Sequence, residues 1–156
     1  MKYYIAYGSN LYARQMKLRC PTATIVGLTK IRDYELLYKG SKTGAYLTIE
    51  PKAGGIVPAV VWNVEEEDEN SLDRYEGFPV FYYKKQMEVQ VKLLRNGRTV
   101  TVPAFVYIMH EERKLGIPSQ TYVNCCKYGY RTFHFDVKYL DEAYERSLKG
   151  VISDEV

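Results

Sequence analysis

The sequence predicts an α+β domain in which antiparallel strands form a curved sheet or small barrel, with helices at the periphery. Strand-like runs rich in tyrosine, valine and isoleucine dominate the chain and are divided by turn residues. One turn, Arg95-Asn96-Gly97-Arg98, contains Asn-Gly, the strongest short signal for a β-hairpin. Sixteen tyrosines, each with an apolar ring and a polar hydroxyl, suit half-buried strands and the walls of a polar pocket.

Seven strands are predicted, at residues 3–7, 23–28, 34–38, 46–50, 56–64, 82–94 and 99–109. Turn residues at Arg32-Asp33 and Gly40-Ser41-Lys42 divide the early strands from one another. In the strand over 82–94, Met87, Val89 and Val91 alternate with polar or charged residues. This period of two predicts one buried face and one solvated face.

Four helices are predicted between and after the strands, at residues 11–18, 65–75, 120–128 and 137–149. Ser9 or Asn10, Ser119 and Asp136 are the N-cap residues that we expect for three of them. Glycines follow three of them, and these predict helix ends at Gly77, Gly129 and Gly150. We therefore expect one domain over residues 1–150 and a C-terminal tail over residues 151–156.

Composition excludes several classes of protein. Of the 156 residues, 46% are hydrophobic and 26% are charged, which is typical of a globular chain. The formal net charge is +3, and Lys and Arg are spread along the chain, so nucleic acid is not an expected partner. No apolar run approaches the length of a membrane span, and none follows Lys2 as in a signal peptide. These features predict a cytoplasmic protein that does not bind membranes.

The metal-ligand and thiol inventory is small. Three cysteines, two of them adjacent, suit neither a disulfide framework nor a zinc site, and the two histidines are far apart in sequence. The sequence therefore predicts reduced thiols and no metal. A thiol nucleophile stays open as an alternative, with Cys125 or Cys126 beside His110 or His134, although a mid-helix cysteine is more often a small core residue.

The first candidate for chemistry is Tyr7-Gly8-Ser9-Asn10-Leu11. It runs from a predicted strand, through a glycine turn, into a predicted helix. Free backbone N–H groups at such a helix start bind carboxylates or developing oxyanions. The purely structural alternative is that Gly8 makes the turn and Ser9 or Asn10 caps the helix.

The second candidate is Glu76, in the segment Leu72-Asp73-Arg74-Tyr75-Glu76-Gly77-Phe78. A carboxylate at the C-terminal end of a helix faces the negative end of the macrodipole, and aromatic neighbours would desolvate it. Both effects raise the pKa of Glu76, which suits a group that accepts and returns protons. The alternative is a solvated surface glutamate in an acidic helix.

A third segment, Pro118-Ser119-Gln120-Thr121-Tyr122, is on its own typical of a capped helix with a core tyrosine. Together the three segments resemble the γ-glutamylcyclotransferase-like family. Its hallmarks are a Tyr-Gly-Ser-Asn-Leu loop, a Leu-Asp-x-x-Glu-Gly segment and a Pro-Ser-x-x-Tyr segment in this order. The resemblance covers nearly the whole chain. It implies a mixed, mostly antiparallel curved sheet that closes toward a small β-barrel, with a pocket at one end.

The resemblance also implies a role for particular residues. Glu76 would be the catalytic acid and base. The substrate-binding residues would be Tyr7, Gly8, Ser9, Asn10, Leu11 and Tyr122, with Tyr83 and Tyr107 at positions that are often aromatic in the family. The Ser-Asn form of the loop fits members that act on γ-glutamyl α-amino compounds.

The implied reaction converts an L-γ-glutamyl small molecule to 5-oxoproline and a free amine or amino acid, with neither metal nor cofactor. Two alternatives share the fold. One is removal of a γ-glutamyl group during processing of a specialised metabolite. The other is a binding module that has lost turnover, although a mere binder would not need a carboxylate at an unfavourable helix end. The sequence leaves open the leaving group and the oligomeric state, including a homodimer.

Overall fold

The structure is a computed structural model that describes residues 1–40 and 44–155, with side chains described as far as residue 153. The predicted turn at Gly40-Ser41-Lys42 lies mostly outside these residues. The strands are β1 (Lys2–Ala6), β2 (Thr24–Gly40), β3 (Ala45–Val64), β4 (Tyr82–Leu93), β5 (Thr99–Met109) and β6 (Lys114–Leu115). The helices are α1 (Ala13–Arg19), α2 (Glu66–Glu76), α3 (Gln120–Thr132) and α4 (Lys138–Glu155), and a 3₁₀ turn covers Ser9–Leu11.

Five strands close into a barrel. Their order is β3-β1-β5-β4-β2, and β2 pairs again with β3, which completes the circle. The pairing of β1 with β5 is parallel, and the other pairings are antiparallel. The short β6 adds to one end of β2. The predicted α+β fold with a mixed, mostly antiparallel sheet closing toward a small barrel is therefore confirmed.

Two predicted breaks between strands are wrong. Residues 23–28 and 34–38 belong to one strand, β2, and residues 46–50 and 56–64 belong to β3. The register shifts between Arg32 and Tyr34, where Asp33 has a φ of 63° and accepts a 3.0 Å hydrogen bond from the Gly54 N–H. The residues that suggested turns instead form a bulge, after which the ladder continues.

The predicted hairpin and several caps are confirmed. Leu93 donates to the Arg98 carbonyl at 2.8 Å around Asn-Gly, which joins β4 to β5. Gly77 ends α2 in the left-handed conformation with a φ of 65°. Ser119 Oγ accepts from the Tyr122 N–H at the start of α3. Local sequence signals of this kind depend little on the rest of the fold.

Other predicted helix boundaries are wrong. Gly129 and Gly150 lie inside α3 and α4, because both permit close packing and neither ends a helix. A Cβ atom at Gly129 would lie 2.5 Å from Leu11 Cβ, and one at Gly150 would lie 2.1 Å from Leu115 Cδ1. The predicted tail is helical as far as Glu155. Neither Ser9 nor Asn10 caps α1, which begins only at Ala13.

The hydrophobic core fills the barrel and extends under α3 and α4. Apolar residues of all five barrel strands are buried in it, among them Ile5, Leu36, Ile49, Val91 and Val106. The core fixes the directions in which the loops leave the strand ends. In the part of the chain that the structure describes, no helix is long and apolar enough to cross a membrane.

Candidate active site

A pocket of about 360 Å³ lies where the chain leaves β1 and enters the 3₁₀ turn. Segments from distant parts of the sequence meet there: the loop after β1, the start of β3, the end of α2, and side chains of β4, β5 and α3. The residues that line it are Tyr4, Ile5, Tyr7, Gly8, Ser9, Asn10, Tyr46, Leu47, Arg74, Tyr75, Glu76, Gly77, Phe81, Tyr82, Tyr107 and Tyr122.

Glu76 is the carboxylate in this lining. As the last residue of α2 before the left-handed Gly77, it stands where the backbone turns away from the helix and toward β4. Burial raises the pKa of Glu76 to about 7, while the positive charge of Arg19 acts in the opposite direction. A group with this pKa is partly ionised at neutral pH and can both accept and return a proton.

Gly8 and the first two residues of the 3₁₀ turn, which form the loop after β1, line the same pocket. The N–H groups of Leu11 and Tyr12 donate to the carbonyls of Gly8 and Ser9, both at 3.0 Å. Within the described residues, the N–H groups of Ser9 and Asn10 have no protein acceptor. These donors can receive a carboxylate or an oxyanion. A Cβ atom at Gly8 would lie 3.4 Å from the Tyr122 hydroxyl, in van der Waals contact with it.

The polar side chains of the loop hold the loop in place. Asn10 is almost fully buried, and its Nδ2 donates to the Tyr4 hydroxyl at 2.8 Å. Asn10 Oδ1 accepts a hydrogen bond from Arg19. Ser9 Oγ lies 3.1 Å from the Tyr75 hydroxyl, which ties the loop to the last turn of α2. Asn10 therefore fixes the shape of the loop, while the backbone remains available to a ligand.

Tyrosines make most of the polar wall. The Tyr7 hydroxyl donates to the Tyr107 carbonyl at 2.7 Å, and the Tyr107 hydroxyl donates to Asp73 Oδ1 at 2.6 Å. The Tyr82 hydroxyl donates to the Leu47 carbonyl, and the Leu47 N–H donates to the Tyr122 hydroxyl. Burial raises the pKa of Tyr7, Tyr82, Tyr107 and Tyr122 well above the usual value, so all four stay neutral near neutral pH.

Two predicted substrate-binding residues do not line the pocket. Leu11 is fully buried against α3, where it contacts Gly129. Tyr83 points to the opposite side of β4 from Tyr82, because successive side chains of a strand alternate, and its hydroxyl donates to Glu111. The other six predicted binding residues and Glu76 are brought together, as the three-segment pattern implies.

Sequence reasoning missed several residues of the site. Arg19 lies outside the three segments, yet its guanidinium is the charge that acts on Glu76. Tyr46 and Leu47 come from the start of β3, and Tyr4 comes from the middle of β1. Nothing in the local sequence distinguishes these residues from ordinary strand and helix positions. The alternation on β4 could have favoured Tyr82 over Tyr83, if the pocket side of the strand had been known.

The cysteines and histidines are placed less favourably for catalysis than Glu76 is. Cys126 is fully buried, and burial raises its pKa and that of Cys20, the latter to about 12. His110 contacts the Pro79 carbonyl at 2.7 Å and the Tyr83 ring, and no cysteine. Among the side chains of residues 1–40 and 44–153, no three His, Cys, Asp or Glu are grouped as metal ligands would be.

Comparison with known proteins gives consistent results. Residues 4–124 match the family model described as "Gamma-glutamyl cyclotransferase, AIG2-like". The chain is 28% identical to the bovine (Bos taurus) protein named gamma-glutamylcyclotransferase, over 98% of this chain and 84% of that protein. A solved structure titled gamma-glutamyl cyclotransferase superposes with a TM-score of 0.73 at 27% identity, over 91% of this chain and 85% of that one.

A yeast enzyme extends the likeness at the level of the fold. That protein is described as a γ-glutamyl cyclotransferase specific to glutathione. It superposes with a TM-score of 0.63 over 95% of this chain and 96% of that one, at 12% identity. Identity this low shows a shared barrel and carries no information about the substrate of this chain.

Proposed function

The chain belongs to the AIG2-like gamma-glutamyl cyclotransferase family, and we propose that it is an enzyme that converts an L-γ-glutamyl compound to 5-oxoproline and a free amine or amino acid. Glu76 moves the proton in this reaction. The observation that carries the proposal is the position of Glu76: it is the one carboxylate among the described lining residues, and it lines the same pocket as Gly8, Ser9 and Asn10 of the loop after β1.

The proposed reaction begins with the α-amine of the glutamyl group. Glu76 removes a proton from the ammonium, and the free amine attacks the γ-carbonyl to close a five-membered ring. The attack is intramolecular, so much of the entropic cost of bringing the reactants together is already met. Glu76 then gives that proton to the leaving nitrogen as the bond between the γ-carbon and that nitrogen breaks, and it takes up the proton that the ring nitrogen loses in becoming the lactam. Because the pKa of Glu76 is raised to about 7, its side chain can act both as the base and as the acid near neutral pH.

The remaining groups of the pocket support this chemistry by binding and polarisation. The N–H groups of Ser9 and Asn10 are suited to hold either the α-carboxylate or the oxyanion of the γ-carbonyl. The neutral hydroxyls of Tyr107 and Tyr122 border the same space. Backbone dipoles, neutral hydroxyls and one carboxylate supply the needed stabilisation, so the proposed reaction requires neither metal nor cofactor.

Three unpaired cysteines support a cytoplasmic location.

The test is a panel of L-γ-glutamyl amino acids, peptides and amines, each offered with its Nα-acetylated form, with release of 5-oxoproline measured by mass spectrometry. We expect at least one free γ-glutamyl compound to react and none of the acetylated forms, because acylation removes the nucleophile. Equal release of the leaving amine from acetylated compounds would show hydrolysis instead of cyclisation. Binding of γ-glutamyl compounds without turnover would favour a binding module.

A further inference from the structure

Arg19, the last residue of α1, joins three pieces of the active site. Its guanidinium donates to Asn10 Oδ1 in the loop and, at 3.0 Å, to Gln15 Oε1 one turn earlier in its own helix. Its Cζ lies 3.5 Å from the centre of the ring of Tyr75, the residue that directly precedes Glu76 in the sequence. The Tyr75 hydroxyl in turn lies 3.1 Å from Ser9 Oγ, in the loop that also contains Asn10. These contacts connect the loop, Arg19 and the end of α2 to one another.

We propose that Arg19 is a positioning residue that holds the loop after β1 and the end of α2 at a fixed separation and keeps Glu76 available as a base. The inference rests on the proposed function of Glu76. Arg19 is not among the pocket-lining residues, so it acts through Asn10, Tyr75 and its electric field.

The contacts of Arg19 use properties that lysine lacks. A guanidinium is planar and presents donors in a rigid fork, so it can donate to two amide oxygens while its face lies on an aromatic ring. Lysine has a single ammonium on a flexible chain and would keep the positive charge without this geometry. The arginine-to-lysine change therefore separates position from charge.

The effect of the Arg19 charge on Glu76 depends on the other groups that surround Glu76. The titratable groups facing it are tyrosines, with burial raising the pKa of each, and they come from β1, the loop, α2, β4, β5 and α3: Tyr4, Tyr7, Tyr75, Tyr82, Tyr107 and Tyr122. Arg74 also lines the pocket, but its guanidinium donates to Ser71 on the exposed side of α2. Among the described residues, Arg19 is the one charged side chain that acts on Glu76, and it favours the ionised form.

The experiment compares Arg19→Gln and Arg19→Lys with Lys17→Gln, which removes a positive charge from an exposed position of the same helix. The pKa of Glu76 is measured by ¹³C NMR of the glutamate carboxyl groups, with Glu76→Gln identifying the signal. The pH profile of kcat/KM is measured in parallel with the substrate found in the panel. The NMR reading does not depend on turnover, so it tests Arg19 even if the proposed reaction is wrong.

We expect Arg19→Gln to raise the pKa of Glu76 and to shift the acid limb of kcat/KM to higher pH. Arg19→Lys should leave that limb near its original position and lower kcat at all pH values, by up to about 10²-fold, because a misplacement of about 1 Å can have an effect of this size. Lys17→Gln should change neither quantity. An unchanged pKa of Glu76 in Arg19→Gln, or equal shifts in Arg19→Gln and Lys17→Gln, would overturn the proposal. So would full activity in Arg19→Lys.

Discussion

Helix α2 carries acidic residues in two contrasting environments. Glu69 and Asp73 share the ammonium of Lys84, at 2.8 and 3.0 Å, and Glu69 also meets Lys2 at 3.0 Å. Burial acts to raise the pKa of Glu69, but these lysines outweigh it and lower the pKa. Glu76, seven residues beyond Glu69 and so about two turns away, has no such partner among the described residues, and burial raises its pKa to about 7.

The difference separates a structural carboxylate from a reactive one. Within this acidic helix, residue type and helical position do not decide the role of a carboxylate; the presence or absence of a cation in ion-pair contact does. A paired carboxylate is fixed in its ionised form and holds the helix to the barrel. An unpaired, desolvated carboxylate changes its protonation state near neutral pH, and groups whose pKa values are moved apart in this way are the usual sign of acid–base assignments in enzymes.

Removing the reactive carboxylate, Glu76, should have the largest effect on activity. Glu76→Gln keeps the size and hydrogen-bonding reach of the side chain but cannot carry a proton. General acid–base catalysis is typically worth about 10²–10⁴-fold, so we expect kcat to fall at least 10²-fold while substrate binding, measured by calorimetry, persists. The matched control is Glu67→Gln, an exposed position of the same helix, which should keep nearly full activity. Near wild-type kcat in Glu76→Gln would exclude Glu76 as the proton carrier.

Removing Lys84, the cation that pairs with Glu69 and Asp73, should change the stability of the protein instead of its catalytic rate. Lys84→Met leaves Glu69 and Asp73 facing each other without their shared partner, and both carboxylates are largely shielded from solvent. Loss of one member of such a group costs roughly 2–4 kcal/mol of unfolding free energy, which urea denaturation can measure. Lys85→Met, the next residue on β4 but on its other side, is the control and should cost far less. Equal stability of the two variants would mean that the pairing contributes little.

The pH dependence of stability sharpens the same contrast. A carboxyl whose folded pKa exceeds its unfolded value destabilises the folded state as pH rises, because the unfolded chain releases the proton first. For Glu76 this penalty is absent below about pH 4.5, grows toward pH 7 and is complete above it. Glu76→Gln removes the penalty, so we expect it to be more stable than wild type by about 1–3 kcal/mol at pH 8 and equally stable at pH 4. A pH-independent difference would contradict the raised pKa.

Sequence signals located the features that depend on local chemistry. Asn96-Gly97 gave the hairpin, Gly77 gave the end of α2, and Ser119 gave the start of α3. The same kind of signal was misleading where long-range packing decided the outcome. Asp33 lies in a bulge because β3 supplies a continuous partner for β2, and Gly129 lies inside α3 because Leu11 packs against it.

The residues of the candidate site likewise divide into those that a local sequence pattern marks and those that only long-range contacts bring to the site. Its motif residues were predicted because each lies in a recognisable segment, and the barrel brings those segments together. Arg19 was missed because its contact with Tyr75 links residues 56 positions apart in sequence, and no local pattern marks such a contact. Asp73 accepts a hydrogen bond from the Tyr107 hydroxyl at 2.6 Å, so Asp73→Asn would alter the pocket wall and is unsuitable as a control for Glu76→Gln.

Glu69→Gln is the smallest of these changes and the best test of whether the paired end is purely structural. Lys84 keeps Asp73, and Lys2 is mostly exposed, so the loss of unfolding free energy at pH 7 should stay below about 1 kcal/mol. The lowered pKa of Glu69 stabilises the folded state above the usual glutamate range and loses this effect as pH falls through the folded pKa. The variant and wild type should therefore converge in stability at low pH, as they do for Glu76→Gln, but the difference at higher pH has the opposite sign: Glu69→Gln is less stable than wild type and Glu76→Gln is more stable. Its kcat should stay within about twofold of wild type, since Glu69 reaches no pocket-lining residue and transfers no proton. A loss of kcat comparable with that of Glu76→Gln, at unchanged stability, would show that the two ends of α2 act together in catalysis.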